Sequence, residues 1–226
     1  MSPPLLSPRP FLLGHRGARA LKSIPENTVA SFDQALADGC DGFEFDVRLS
    51  SDGTPVVCHD PQTGCIEIAR ASAEQLSALP QLRDVLIRYQ QSAFLDIELK
   101  VSGLEKITAA LLQKHPPRRG FVVSSFLPEV LYAVRAEDPG IPLGLICETE
   151  AELRHWNELT IEYVIPHYRL VDEALLPELR DAGRKILVWT VNAPEEMRRW
   201  AESGVDGIIS DDTSLLCRTL ARQPLR

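Results

Sequence analysis

Short apolar runs alternate along this chain with segments whose apolar residues recur at helical spacing. Phe11-Leu12-Leu13 ends at Gly14. Thr28 to Asp38 carries Val29, Phe32 and Leu36 on one helical face and closes on Gly39, which suits a helix C-cap. Gly42 to Leu49 alternates strictly, with Phe43, Phe45 and Val47 on one face and Glu44, Asp46 and Arg48 on the other. Pro55 to Cys58 reads as a short extended piece after a Ser51-Asp52-Gly53 turn. Ala73 to Gln90 reads as helical with a break at Pro80. Strands are predicted at Phe94–Lys100, Phe121–Val123, Leu143–Cys147, Tyr163–Ile165, Lys185–Thr190 and Gly207–Ile209. Helices are predicted at Leu104–Lys114, Pro128–Ala136, Ala151–Leu159, Asp172–Ala182, Pro194–Ser203 and from Thr213 to about Arg222.

Eight strands result, nearly every one followed by a helix. Repeated βα units give a parallel sheet, because each crossover returns the chain to the same end. Eight units in 226 residues fit a (β/α)8 TIM barrel, an α/β fold spanning residues 1–226 as a single domain. The rival is a doubly wound sheet. The barrel is preferred because no G-x-G-x-x-G follows the first strand and because the polar residues of interest lie at several strand ends. An irregular insertion, about residues 60–92, follows the second strand and resembles a short cap. A weak repeat relates Gly39-Cys40-Asp41-Gly42-Phe43-Glu44-Phe45-Asp46 to Gly204-Val205-Asp206-Gly207-Ile208-Ile209-Ser210-Asp211, each leading from a helix into a strand with an aspartate at the strand's far end. Shared loop chemistry, a glycine cap and an Asp-Gly turn, is the simpler account; a remnant of duplication is the other.

The formal net charge is −8, which argues against nucleic acid as a partner. A local cation in a site would still admit an anionic small-molecule substrate. Five cysteines are an odd number without a C-x-x-C pair, so neither a disulfide framework nor a zinc ribbon is indicated. Most are expected to be buried apolar residues. No secretory signal or membrane span is legible, and a cytoplasmic enzyme is the expectation.

The chemistry concentrates at strand ends. Glu44 and Asp46 share one strand face; Asp96, Glu98 and Lys100 share another. Carboxylates stacked on a buried strand repel each other and are costly to desolvate unless a cation joins them. Glu44, Asp46 and Glu98 are therefore candidate metal ligands. An all-oxygen set points to Mg2+, Ca2+ or Mn2+ rather than zinc. His15 and His59 follow short extended runs, and near neutral pH one imidazole can take a proton while another gives one. Arg16 and Lys100 either pair with the neighbouring carboxylates or bind the oxygens of a phosphodiester. Asn27 is a plausible N-cap for the first helix, and Glu26 beside it either belongs to the same capping loop or reaches the site. Phe126 and Trp189, at strand ends, are core aromatics or a wall for the organic part of a substrate.

Taken in order, His15-Arg16-Gly17, Pro25-Glu26-Asn27-Thr28, Glu44-x-Asp46, His59-Asp60, Glu98-x-Lys100, Trp189-Thr190-Val191-Asn192 and Asp206-Gly207-Ile208-Ile209-Ser210-Asp211 resemble the glycerophosphodiester phosphodiesterases over nearly the whole chain. The resemblance implies a TIM barrel, one divalent cation, and hydrolysis of a glycerophosphodiester to an alcohol and sn-glycerol 3-phosphate. It implies that Glu44, Asp46 and Glu98 hold the metal, that Arg16 and Lys100 bind phosphate, and that His15 and His59 are the acid–base pair. By the family's pattern the glycerol 2-hydroxyl attacks phosphorus, giving a cyclic phosphate that water opens. His15 would be the base and His59 the acid for the leaving alcohol.

One departure stands out. Only 38 residues separate His59 from Glu98, where many family members place a longer cap. A more open mouth would admit bulkier diesters, so a lysophospholipase D-type activity is the alternative enzyme reading. A non-catalytic binding protein on the same fold is the third.

Overall fold

A strand lined by helices on one side and by a packed lumen on the other is buried on both faces. The computed structural model, which describes residues 9–172 and 174–220, shows this for the eight barrel strands read above. In chain order the strands are β1 (Phe11–Gly14), β2 (Gly42–Leu49), β3 (Pro55–Val57), β4 (Gln62–Thr63), β5 (Ile66–Glu67), β6 (Phe94–Leu99), β7 (Phe121–Ser125), β8 (Leu143–Cys147), β9 (Tyr163–Pro166), β10 (Lys185–Val188) and β11 (Gly207–Ser210). The short, exposed β4 and β5 were not expected. β1, β2 and β6 to β11 pair in parallel, and β11 returns to β1, closing an eight-stranded barrel. The helices are α1 (Val29–Ala37), α2 (Leu82–Tyr89), α3 (Glu105–Lys114), α4 (Pro128–Glu137), α5 (Glu150–Leu153), α6 (Leu175–Asp181), α7 (Pro194–Ser203) and α8 (Thr213–Leu220). The (β/α)8 expectation is met.

The alternation of β2 now has a cause. Phe43, Phe45 and Val47 point outward into the layer between barrel and helices. Phe32 of α1 stacks on Phe43 at 4.2 Å, and Tyr89 of α2 meets Phe43 edge-on at 4.9 Å. Glu44 and Asp46 consequently point into the lumen. β6 repeats the arrangement, with Leu95, Ile97 and Leu99 outward and Phe94, Asp96 and Glu98 inward. Deeper in the lumen, Leu13, Val122, Ile165, Leu187 and Ile209 fill the barrel. The register places Glu44 beside Asp96 and Asp46 beside Glu98. Gly42 permits this close pairing, because a Cβ there would overlap the Phe94 carbonyl oxygen.

β3 runs antiparallel to β2 and leads to His59. The insertion that follows holds the β4–β5 hairpin and a 3-10 turn at Ile68–Arg70, and its Ile68, Ala71 and Leu76 form a small core with Val56 of β3. Several boundaries differ from the sequence reading. Ala73–Leu79 forms turns rather than helix: the Gln75 side chain accepts from the Ser72 amide at 2.9 Å and competes with a helical start. α2 is a barrel helix, not part of a cap. α5 is one capped turn, Thr149 and Glu152 forming a capping box, and it tightens into a 3-10 segment at Arg154–Asn157. α6 starts at Leu175, and Asp172 Oδ1 accepts from the Leu175 amide at 2.8 Å. β10 ends at Val188. The expected end of the last helix at Arg222 lies outside the described residues. The cysteines divide differently from expectation: Cys40 and Cys147 are buried, Cys58 and Cys217 half-buried, and Cys65 exposed on the β4–β5 turn. Among the described residues no helix is long and apolar enough to cross a membrane.

Candidate active site

The carboxyl ends of the strands surround a cavity of about 440 Å3 lined by His15, Arg16, Glu44, His59, Glu98 and Lys100 on its polar side. One oxygen each from Glu44, Asp46 and Glu98 lies within 4.8 Å of the others, and all three residues are buried. Asp96 sits beneath them and accepts from Ser124 Oγ at 2.5 Å. Glu44 Oε1 and Asp96 Oδ2 are buried without a hydrogen-bond donor, and Asp46 Oδ1 makes no hydrogen bond and has only an ion-pair contact with Lys100. Two cations face these four carboxyl groups. Lys100 Nζ lies 2.6 Å from Glu98 Oε1 and 3.3 Å from Asp46 Oδ1, and Arg16 Nε lies 3.3 Å from Asp46 Oδ2.

The titration of the cluster reflects this shortfall. Burial, then the charges of Asp46 and Glu98, holds Glu44 well above the usual carboxylate range. Burial, then Asp46, pushes Glu98 up to about 8, and burial pushes Asp96 up to about 7. Burial also opposes ionisation of Asp46, but Lys100, Arg16 and the Asn27 amide outweigh it and hold Asp46 below its usual value. An all-oxygen donor set with orphaned buried oxygens and excess negative charge fits a hard divalent cation.

His15 is fixed from both ends. Its backbone N–H donates to the Ser210 carbonyl at 2.8 Å, and its Nδ1 lies 2.7 Å from Asp211 Oδ1. Its Nε2 is directed to the carboxylate side, 3.9 Å from Glu44 Oε2. Burial lowers the pKa of His15, and Asp211 opposes that shift. Asp211 is itself clamped: Asn192 Nδ2 donates to it at 2.8 Å and Arg19 Nη1 at 3.1 Å. Burial resists its ionisation, yet the His15 hydrogen bond and these donors hold its carboxyl far below the ordinary range. His59 stands opposite, a third exposed at the rim. Its Nδ1 lies 2.8 Å from Asp60 Oδ1, and its carbonyl accepts from Arg48 Nε at 2.7 Å.

Both residues after His15 have positive φ, Arg16 at 53° and Gly17 at 81°, so the chain doubles back beneath the ring. The turn directs the Arg16 amide to Glu44 Oε2 at 2.9 Å and its guanidinium to Glu26 Oε1 at 2.7 Å. Glu26 also takes Arg19 Nε at 2.7 Å, so it is a bridge between two arginines. Asn27 is not the N-cap of α1. Its backbone is left-handed, φ 57°, which carries its amide to Asp46 Oδ2 at 2.7 Å. Thr28, one residue later and extended, caps the helix by accepting from the Ser31 amide. Phe126 and Trp189 meet edge-on at 5.8 Å on the apolar side of the cavity, with Ile146, Ile165 and Ile209. Trp189 Nε1 donates to the Ile165 carbonyl at 2.9 Å.

All the residues expected at the site thus converge on one end of the barrel. Asp211, Asn192, Arg19 and Asp96 were not singled out as site residues. Asp211 had a signal in the sequence, an aspartate at the far end of the last strand.

A closed (β/α)8 barrel with carboxylates, imidazoles and cations gathered at the carboxyl ends of its strands defines a TIM-barrel enzyme. The profile of the glycerophosphoryl diester phosphodiesterase family matches residues 15–66 and 72–215. The chain belongs to that family, and its class is that of a phosphodiesterase. A glycerophosphodiester phosphodiesterase of Caldanaerobacter subterraneus subsp. tengcongensis is 29% identical over 235 residues, covering 91% of this chain and 96% of the relative. A phosphodiesterase structure from Oleispira antarctica, in complex with the product sn-glycerol-3-phosphate, superposes with a TM-score of 0.82 at 26% identity, covering 95% and 98% of the two chains. A glycerophosphodiester phosphodiesterase structure from Thermotoga maritima gives 0.81 at 26%, covering 93% and 98%.

Proposed function

We propose that this protein hydrolyses glycerophosphodiesters to an alcohol and sn-glycerol 3-phosphate, acting as a single barrel with one divalent cation. The observation that carries this is the pair His15 and His59 facing one cavity beside the Glu44–Asp46–Glu98 cluster. Bound there, Mg2+, Ca2+ or Mn2+ would supply positive charge to the phosphodiester oxygens.

The chain's own residues do the rest. His15, with Nδ1 committed to Asp211, has Nε2 free to take the proton of the glycerol 2-hydroxyl as its oxygen attacks phosphorus. His59, near the open rim, protonates the leaving alcohol. In the second half the roles exchange: His59 removes a proton from water and His15 returns its proton to the 2-oxygen, opening the cyclic phosphate. Arg16 pairs with Glu26 and Asp46, and Lys100 with Glu98 and Asp46. A cation would take over part of that pairing and leave their N–H groups to the phosphate. Asn27 holds Asp46 in place, Glu26 holds Arg16, and Phe126 and Trp189 wall the organic part of the substrate. A cytoplasmic site of action belongs to the same proposal.

Large exposed apolar residues are spread over Phe11 on β1, Ile66 on β5, Ile87 on α2, Ile107 on α3 and Tyr132 on α4, with Leu21 in a loop. This scatter gives the lysophospholipid alternative no particular support. The test is release of sn-glycerol 3-phosphate from glycerophosphocholine and glycerophosphoethanolamine. It is run after chelation and after restoring Mg2+, Ca2+ or Mn2+ singly. Release should vanish with the chelator and return with at least one ion; release indifferent to chelation would refute the cation. His59→Ala should cut turnover by about 10²-fold or more with cation binding intact. Near-normal turnover would remove His59 from the reaction.

A further inference from the structure

At the opposite end of the barrel from the active site, two cysteines far apart in sequence touch. Cys40 lies in the short link between α1 and β2, its amide donating to the Ala35 carbonyl at 3.1 Å. Cys217 lies on α8. Their sulfurs are 3.7 Å apart across 177 positions of sequence. Cys217 also lies close to the backbone beside Cys40, where a Cβ on Gly39 would stand 3.7 Å from its Sγ. Cys40 is buried and Cys217 half-exposed. Arg9, Asp38 and Asp41 are the charged groups around them. No other described pair of cysteines is in such contact, and the catalytic reading has no use for this one.

We infer that Cys40 and Cys217 form an oxidisable pair whose disulfide staples the last helix to the entry of the second barrel strand. Two sulfurs in van der Waals contact need a small rotation of the more exposed side chain to reach bonding distance. The accessible sulfur reacts first. Cys217 thiolate attacks a small-molecule disulfide such as glutathione disulfide and expels one thiolate. Cys40 then loses its proton and attacks Cys217 Sγ, expelling the second. Two protein thiols and one small disulfide thus become one protein disulfide and two small thiols. The bond joins the first βα unit to the last, so the cross-linked loop takes in most of the chain and the unfolded state loses much of its freedom.

The test equilibrates the full-length protein with glutathione disulfide and glutathione at graded ratios, then quenches, alkylates and digests it without reduction. The expected product is a linked peptide containing Cys40 and Cys217. The intact protein should be lighter by two hydrogens, and its unfolding midpoint should rise by about 5–10 °C. Reduction should reverse all three changes. Cys217→Ala should give no linked peptide and no rise. Cys40→Ala should instead hold a glutathione adduct on Cys217. Oxidation of exposed Cys65 with Cys40 and Cys217 still free would overturn the inference. A linked peptide with no change in midpoint would overturn the staple.

Discussion

His15 shows how much of a catalytic residue's behaviour belongs to its neighbours. An imidazole in the middle of a barrel mouth has two tautomers and free rotation about its side chain. Asp211 removes both freedoms by accepting from Nδ1, and Asn192 and Arg19 in turn keep Asp211 ionised and pointed. The arrangement follows the general rule that partners of a functional imidazole set which nitrogen is available. Asp211→Asn should therefore lower kcat by about 10–100-fold, the range seen for such supporting partners, with KM within about twofold. A loss expressed in KM alone would mean that Asp211 shapes the pocket instead of orienting His15. Both residues stood out along the chain, but their pairing did not, because His15 and Asp211 are 196 positions apart. The misplaced cap was a local ambiguity: Asn27 and Thr28 are both good cap residues, and only the left-handed backbone at Asn27 decides between them.

At the scale of elements, β2 and β6 do most of the positioning. Their outward phenylalanines and aliphatics are fixed by α1 and α2, and a slip of one residue would turn the carboxylates into the helix layer. Gly42→Ala should force β2 away from Phe94 and destabilise the protein by about 2–3 kcal/mol or more, measured by denaturant unfolding. Activity should fall with it, since Glu44 is two residues along. Thr28→Ala should cost α1 about 1 kcal/mol, the ordinary worth of an N-cap. A cost near zero would mean that neighbouring groups satisfy the Ser31 amide unaided. The eight barrel strands were legible because double-sided burial writes continuous or strictly alternating apolar runs. The insertion was harder. Ala73–Leu79 has helical spacing, but Ser72 and Gln75 satisfy each other locally and Pro80 follows at once. α5 looks like two helical turns in sequence and becomes one turn plus a tighter segment, because its capping box organises only the first.

At the scale of the molecule the barrel concentrates negative charge where it has least water. Four buried carboxyl groups share two cations, while the whole chain is already at −8. In the cation-free protein Glu98 and Asp96 keep their protons up to about 8 and about 7, far above their unfolded values. These two groups bind more protons in the folded state than in the unfolded one across that window, so their contribution to stability is greatest on the acid side and falls as pH rises toward about 8, while the lowered pKa values of His15 and His167 act in the opposite sense near pH 6. A divalent ion should reverse the trend, because it binds the ionised cluster of the folded state alone. At a hundredfold excess over its dissociation constant it adds about 2.7 kcal/mol, an upward shift of roughly 5–10 °C in the unfolding midpoint. Glu44→Gln separates the two effects. It removes a buried group whose ionisation the crowded cluster opposes, so the cation-free variant should be at least as stable as the parent at pH 8. It also removes a ligand, so most of the cation-induced shift should disappear, and turnover should recover only at high cation concentration. Thermal unfolding of both proteins at pH 5 and pH 8, with chelator and with excess cation, checks the stability effects, and turnover against cation concentration checks the last. If the variant kept the full cation shift, Glu44 would not be a ligand. If its cation-free form were several degrees less stable at pH 8, the contacts of Glu44 with Arg16 would outweigh the repulsion in the cluster.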